Sequence, residues 1–262
     1  MKKNSRYIIL IIILVLYFVV LYFFIGKDYV KKGSLTTKLI IGEHTVWQLE
    51  KRKWTNISDN KIKIKNLNWQ EFNIFVNSKK LGKYDLWKNE SWYIFDKEKN
   101  AIQYQGHIFA YQANYEINLE SFKEEKITNY SPIRKVLENS NLSTEQELTV
   151  NTLIKYDFDS DSNEEELYLI SNAFPEPEAI QPEKIFTFIF LVDNNEIEIL
   201  YNSVEENVGL NGCQPFLEYL LDVDDDNENE LILSCIRYDE LPPLVMLYDR
   251  ENDKFDIVVS NE

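Results

Sequence analysis

The sequence predicts a mainly β protein behind an N-terminal transmembrane helix. The rest comprises a β-rich N-terminal domain, a short helix, and two four-stranded antiparallel repeats. Three observations carry this prediction. Residues 7–25 form nineteen consecutive positions without a charge, Pro or Gly. Between Leu39 and Tyr115, aromatic and β-branched residues alternate with Lys, Asn and Glu, the pattern of half-buried strands. Beyond residue 150, an acidic loop bracketed by apolar segments is written twice, at Asp157 and again at Asp222.

Residues 1–6 form a short tail carrying Lys2, Lys3 and Arg6. The apolar run 7–25 is long enough to cross a hydrocarbon core of ~30 Å as a helix. The preceding charges favour a cytoplasmic N-terminus with the bulk of the chain outside, although Lys27, Lys31 and Lys32 follow the run. The competing reading is a cleaved signal peptide. Its apolar region is usually shorter, and no small-x-small site stands before Gly26. Residues 26–34 read as a linker.

Residues 35–130 read as a β-rich domain. Lys61-Ile-Lys-Ile-Lys65 alternates with period two, and Phe72–Val76, Trp92–Phe95, Ile102–Gln105 and His107–Tyr111 continue as a meander. Polar clusters at Asn77–Lys80 and Asp96–Asn100 mark turns. All five tryptophans, at 47, 54, 69, 87 and 92, lie here. They either fill a core or form a face that stacks on sugar rings. The two histidines, His44 and His107, stand in separate segments without a spacing that suits zinc.

Ser131-Pro132 followed by Ile133, Val136 and Leu137 predicts a short capped helix with Pro in its first turn. It opens the second domain, residues 131–262. Each repeat there runs strand, acidic loop, strand, hairpin. The first hairpin spans Ile185–Val192 and Ile197–Tyr201, the second Leu244–Tyr248 and Phe255–Val259. Four strands per copy is the size of a propeller blade, but two copies cannot close a propeller of at least about four.

The loops share one grammar. Asp157, Asp159 and Asp161 with Glu165, and Asp222, Asp224 and Asp226 with Glu230, occupy positions one, three, five and nine. So many carboxylates in nine residues repel one another unless a cation neutralises them, and hard oxygen ligands suit Ca2+. Strand, then D-x-D-x-D-x-x-x-[DE], then strand resembles the FG-GAP/VCBS-type repeat of integrin-like propellers and bacterial surface proteins, over residues 150–262. The resemblance implies up to two bound Ca2+ ions. Their ligands would be the side chains at positions one, three, five and nine and the backbone carbonyl at position seven, Asn163 in one loop and Glu228 in the other. Family loops usually carry Gly at position six, where this chain has Ser162 and Asn227, and Glu166 rivals Glu165 for position nine. An EF-hand is excluded, because its position twelve would be Tyr168 or Leu233 instead of Glu. An acidic turn that binds nothing is the remaining alternative.

Charge is uneven. Residues 35–130 hold 15 basic and 12 acidic side chains, whereas residues 131–262 hold 7 and 31. That acidity argues against nucleic acid or anionic lipid as a partner of the second domain. Cys213 and Cys235 are the only cysteines, either bridged once or two free thiols on neighbouring strands. No nucleophile elbow, P-loop or Rossmann fingerprint appears, so nothing points to an enzyme. The expectation is a membrane-anchored extracytoplasmic calcium-binding module that meets a surface protein or cell-wall polymer. The alternative is a carbohydrate-binding or carbohydrate-degrading surface protein using the N-terminal aromatics.

Overall fold

The computed structural model describes residues 36–42, 45–77, 79–158, 161–174, 182–206, 213–237, 243–251 and 254–261. The expected membrane anchor, the linker and His44 lie outside these residues. Among the described residues, no helix is long and apolar enough to cross a membrane.

The chain is mainly β, in three antiparallel sheets. The first sheet is built from β1 (Thr36–Ile41), β2 (Thr45–Glu50), β3 (Lys53–Asn56), β4 (Gln70–Val76), β5 (Lys79–Lys88), β6 (Trp92–Phe95), β7 (Ala101–Ile102) and β8 (Ile108–Gln112). They form one sheet in the order β3-β2-β1-β8-β4-β5-β6-β7. This is not the simple meander expected from the sequence, because β8 leaves β7 and inserts between β1 and β4. The physical reason is burial: Ile108 to Tyr111 are buried on both faces, which an edge position beside the half-exposed β7 cannot provide.

A second departure is α1 (Lys61–Lys65), where period-two alternation predicts a strand. Asn60 accepts from the Lys63 N–H and caps the turn, while Ile62 is 76% exposed. Only Ile64 packs against the core, so the alternation marks no buried face.

The second sheet has the order β13-β12-β11-β10-β9, from β9 (Glu124–Lys126), β10 (Val150–Tyr156), β11 (Glu165–Ser171), β12 (Lys184–Asp193) and β13 (Glu196–Glu206). Helix α2 (Ser131–Asn139) buries Ile133, Val136 and Leu137 against its outer face, with Pro132 in the first turn. Tyr130 at the helix start makes no side-chain cap; Asn129 Oδ1 accepts from the Ser131 N–H instead. The third sheet is a four-stranded meander of β14 (Cys213–Leu221), β15 (Glu230–Arg237), β16 (Leu244–Glu251) and β17 (Lys254–Ser260).

The third sheet is the middle layer. On β16, Val245 and Leu247 pack against Leu39, Trp47 and Phe109 of the first sheet. The alternate residues Leu244, Met246 and Tyr248 pack against Leu167, Leu169 and Ile189 of the second. A strand covered on both faces needs a largely apolar run, and Leu231 to Cys235 are all buried, apolar but for Ser234. The chain joins first to second sheet through residues 113–123, which run along the third; the Glu120 N–H donates to the Leu220 carbonyl at 2.9 Å.

Cys213 and Cys235 form a disulfide between β14 and β15, with Cα atoms 5.1 Å apart, which resolves the alternatives left by the sequence. Trp47, Trp54 and Trp92 are core residues. Trp87 is half-buried against Tyr93. Trp69 is 49% exposed, with Phe95 at 4.9 Å and the Lys99 ammonium 4.7 Å above its ring.

Candidate metal centre

Both acidic loops span the open end of an antiparallel pair, β10–β11 and β14–β15. In each, the residue before position one is the cross-strand partner of position nine: Tyr156 of Glu165, and Leu221 of Glu230. The register therefore fixes where both ends of the loop stand. Position two then plugs each loop into a core. Phe158 is fully buried between the second and third sheets, and Val223 between the third and first.

The hydrogen bonds repeat position for position. In the first loop, Asp157 accepts from the N–H groups of Asp161 and Ser162, both at 3.0 Å. Asp161 accepts from Asn163 N–H at 2.7 Å, and Glu165 from Phe158 N–H at 2.6 Å. In the second, Asp222 accepts from Asp226 N–H at 3.1 Å and Asn227 N–H at 2.9 Å. Asp226 accepts from Glu228 N–H at 3.0 Å, and Glu230 from Val223 N–H at 2.5 Å. Carboxylates curl the backbone of each loop around one centre.

Around that centre the oxygens converge. Carboxylate atoms of Asp157, Asp161 and Glu165 all lie within 4.8 Å of one another, as do those of Asp222, Asp224 and Asp226. Two oxygens bound to one Ca2+ at about 2.3–2.6 Å can stand no more than about 5.2 Å apart, and both groups meet that limit. Asp159 lies outside the described residues. Asn163 and Glu228 occupy position seven, and the Asn163 amide donates to Asp161 at 2.9 Å. Glu230 is buried and feels the charges of Asp222 and Asp224, but it stands outside their group, whereas Glu165 belongs to the group in the first loop. Glu166, the rival at position nine, turns away: it pairs with Lys155 at 2.8 Å and accepts from the Tyr168 hydroxyl at 2.6 Å.

Two carboxyls of the second loop are held away from their ordinary titration range. Burial pushes the Glu230 carboxyl well above the usual range, with Asp224, Asp249 and Asp222 adding repulsion and the Val223 N–H opposing it. Burial also raises Asp222, against the pull of the N–H groups of Asn227, Asp226 and Asp225. A cation between these groups would reverse both shifts.

Three supporting contacts were not read from the sequence. Tyr115 donates its hydroxyl to the Val223 carbonyl, and Thr37 lies 2.7 Å from the same hydroxyl, tying the first sheet to the second loop. Asn229 donates to the Tyr156 hydroxyl at 3.2 Å, linking this loop to the strand ahead of the first. These are long-range contacts between single side chains and leave no local pattern. The apolar position two, occupied by Phe158 and Val223, was the one visible signal.

Position six adopts a left-handed backbone in both loops, with φ 76° at Ser162 and 72° at Asn227. Asn tolerates that region better than Ser, and Gly best. Ser162→Gly is therefore expected to stabilise the protein by about 1 kcal/mol and Asn227→Gly by less. Urea unfolding of both variants checks this; an equal or reversed ranking would remove strain at Ser162 as a feature of the loop.

Comparison of the chain with protein-family models, curated proteins and solved structures finds no match in any of the three.

Proposed function

We propose that this chain is a membrane-anchored, extracytoplasmic calcium-binding protein of the FG-GAP/VCBS type. Its β-rich body serves as a cell-surface binding module for another surface protein or a cell-wall polymer. The observation that carries the calcium reading is the position-for-position match between two loops 65 residues apart in hydrogen bonds and left-handed turn, with three carboxylates converging in each, at positions one, five and nine in the first and one, three and five in the second. A solvated acidic turn has no reason to repeat the same internal geometry on two different sheets.

The Cys213–Cys235 disulfide supports the extracytoplasmic location, since such bonds persist in oxidising compartments. The apolar run 7–25 supplies the anchor. Calcium at millimolar concentration is typical of that side of the membrane and suits loop-borne sites. The carbohydrate alternative has less behind it: three of the five tryptophans are in cores, and Lys99 covers the ring of Trp69.

The test is thermal melting of the full chain in detergent micelles, in EDTA, Ca2+ or Mg2+, beside an Asp222→Ala/Asp224→Ala variant. A ligand at a hundred times its Kd adds roughly 2.7 kcal/mol, or about 5–10 °C for a chain of this size. The expected result is a Ca2+-selective rise that shrinks in the variant. No rise at millimolar Ca2+ would reduce both loops to acidic turns.

A further inference from the structure

The seam between the first and third sheets is open at one end. On β15, Ile232, Ser234 and Ile236 share the face turned to the first sheet. Ile232 is fully buried, whereas Ile236 is 52% exposed. A cavity of about 270 Å³ occupies the gap, just below the usual small-molecule range. Its walls are mostly apolar, from Ile41 and Gly42 on one side and Phe216, Tyr219, Ile236 and Val245 on the other.

Among the described lining residues, one is acidic. Among the described residues, Glu218 accepts one hydrogen bond, from the Ser234 hydroxyl at 3.0 Å, although an ionised carboxylate has room for about four. Among the described lining residues, His107 at the mouth is the one basic group. Burial pushes the Glu218 carboxyl up, and Ser234 and His107 only partly oppose this. A half-buried acid with spare acceptors is best completed by a cationic donor that brings its own apolar body.

We propose that this slot is a binding site for a small organic ammonium, the charged head on Glu218 and the apolar body between Ile41, Tyr219, Ile236 and Val245. The site is separate from both acidic loops and does not depend on their metal. Fluorine NMR titration of the full chain with para-fluorobenzylammonium tests it, with para-fluorobenzyl alcohol as the neutral control. Physiological ionic strength screens unspecific attraction to the acidic surface. The expected result is saturable binding of the ammonium, roughly tenfold or more tighter than the alcohol. Glu218→Gln should erase that preference, and Ile236→Trp, at an exposed position that tolerates the change, should block both ligands. Absence of binding, equal binding of the two, a preference that survives Glu218→Gln, or full binding by Ile236→Trp would each overturn the proposal.

Discussion

Glu230→Gln is expected to raise the melting temperature of the cation-free protein at neutral pH and at the same time to diminish its response to calcium. Glu230 is fully buried, and burial raises its carboxyl well above the usual range. In the cation-free fold it must either hold a charge in a poorly solvated place or take up a proton from neutral solution. Both cost free energy that the unfolded chain avoids. Gln keeps the shape and an oxygen for the Val223 N–H but carries no charge. A gain of about 3 °C or more, the shift that ~1 kcal/mol gives a chain of this size, is expected in EDTA. The calcium-induced rise should then fall, because position nine no longer supplies an anionic oxygen.

The pH dependence has a fixed sign. The raised folded value means that the native state binds a proton more tightly than the unfolded one. Stability in EDTA therefore declines as pH rises from the ordinary carboxylate value of 4.5 through the raised folded value, and this group adds no further slope above it. Asp222, also raised, contributes in the same direction. With calcium bound the ionised forms are favoured, so the calcium-induced gain should grow over the same window. Melting curves across that window in EDTA and in Ca2+ check both slopes against Glu230→Gln, in which the part owed to this residue disappears. A Glu230→Gln protein that melts lower in EDTA and keeps its full calcium response would place Glu230 outside any metal centre.

Sequence patterning located the acidic loops, their flanking strands and both C-terminal hairpins, because each is written within a few adjacent residues. Asp157 to Glu165 and Asp222 to Glu230 carry their charges, turn residue and strand register locally. What was not legible depends on contacts far along the chain. The alternation of Lys61 to Lys65 suits a strand, but five residues with Ile62 in solvent cannot enforce one, and Asn60 caps a helical turn instead. The displacement of β8 to the centre of its sheet follows from burial on both faces, which a run as short as Ile108–Tyr111 does not distinguish from one-sided burial. Likewise, nothing in the order of the chain indicates that the last sheet lies between the first two, since that arrangement rests on contacts as far as 204 residues apart. The Asn56 amide on the Ser260 carbonyl at 2.9 Å is one such contact.

That layer order makes a prediction with a large effect. All five tryptophans lie in the stretch of chain that forms the first sheet, and the first sheet packs on the third. Leu169 is fully buried at the other interface, between the second sheet and the third. Truncating a buried Leu to Ala typically costs 2–5 kcal/mol, here roughly 5–15 °C in melting temperature. If the third sheet welds its neighbours into one cooperative unit, Leu169→Ala should lower the tryptophan-detected transition as much as the one seen by far-ultraviolet circular dichroism. Leu247→Ala, at the interface facing the tryptophans, should behave the same way. A tryptophan transition left unmoved by Leu169→Ala, while circular dichroism splits into two steps, would show that the sheets melt separately. Coincident shifts would mean that strain in one acidic loop can reach the other: both loops hang from strands of this three-layer core, and Phe158 and Val223 press into its two separate interfaces.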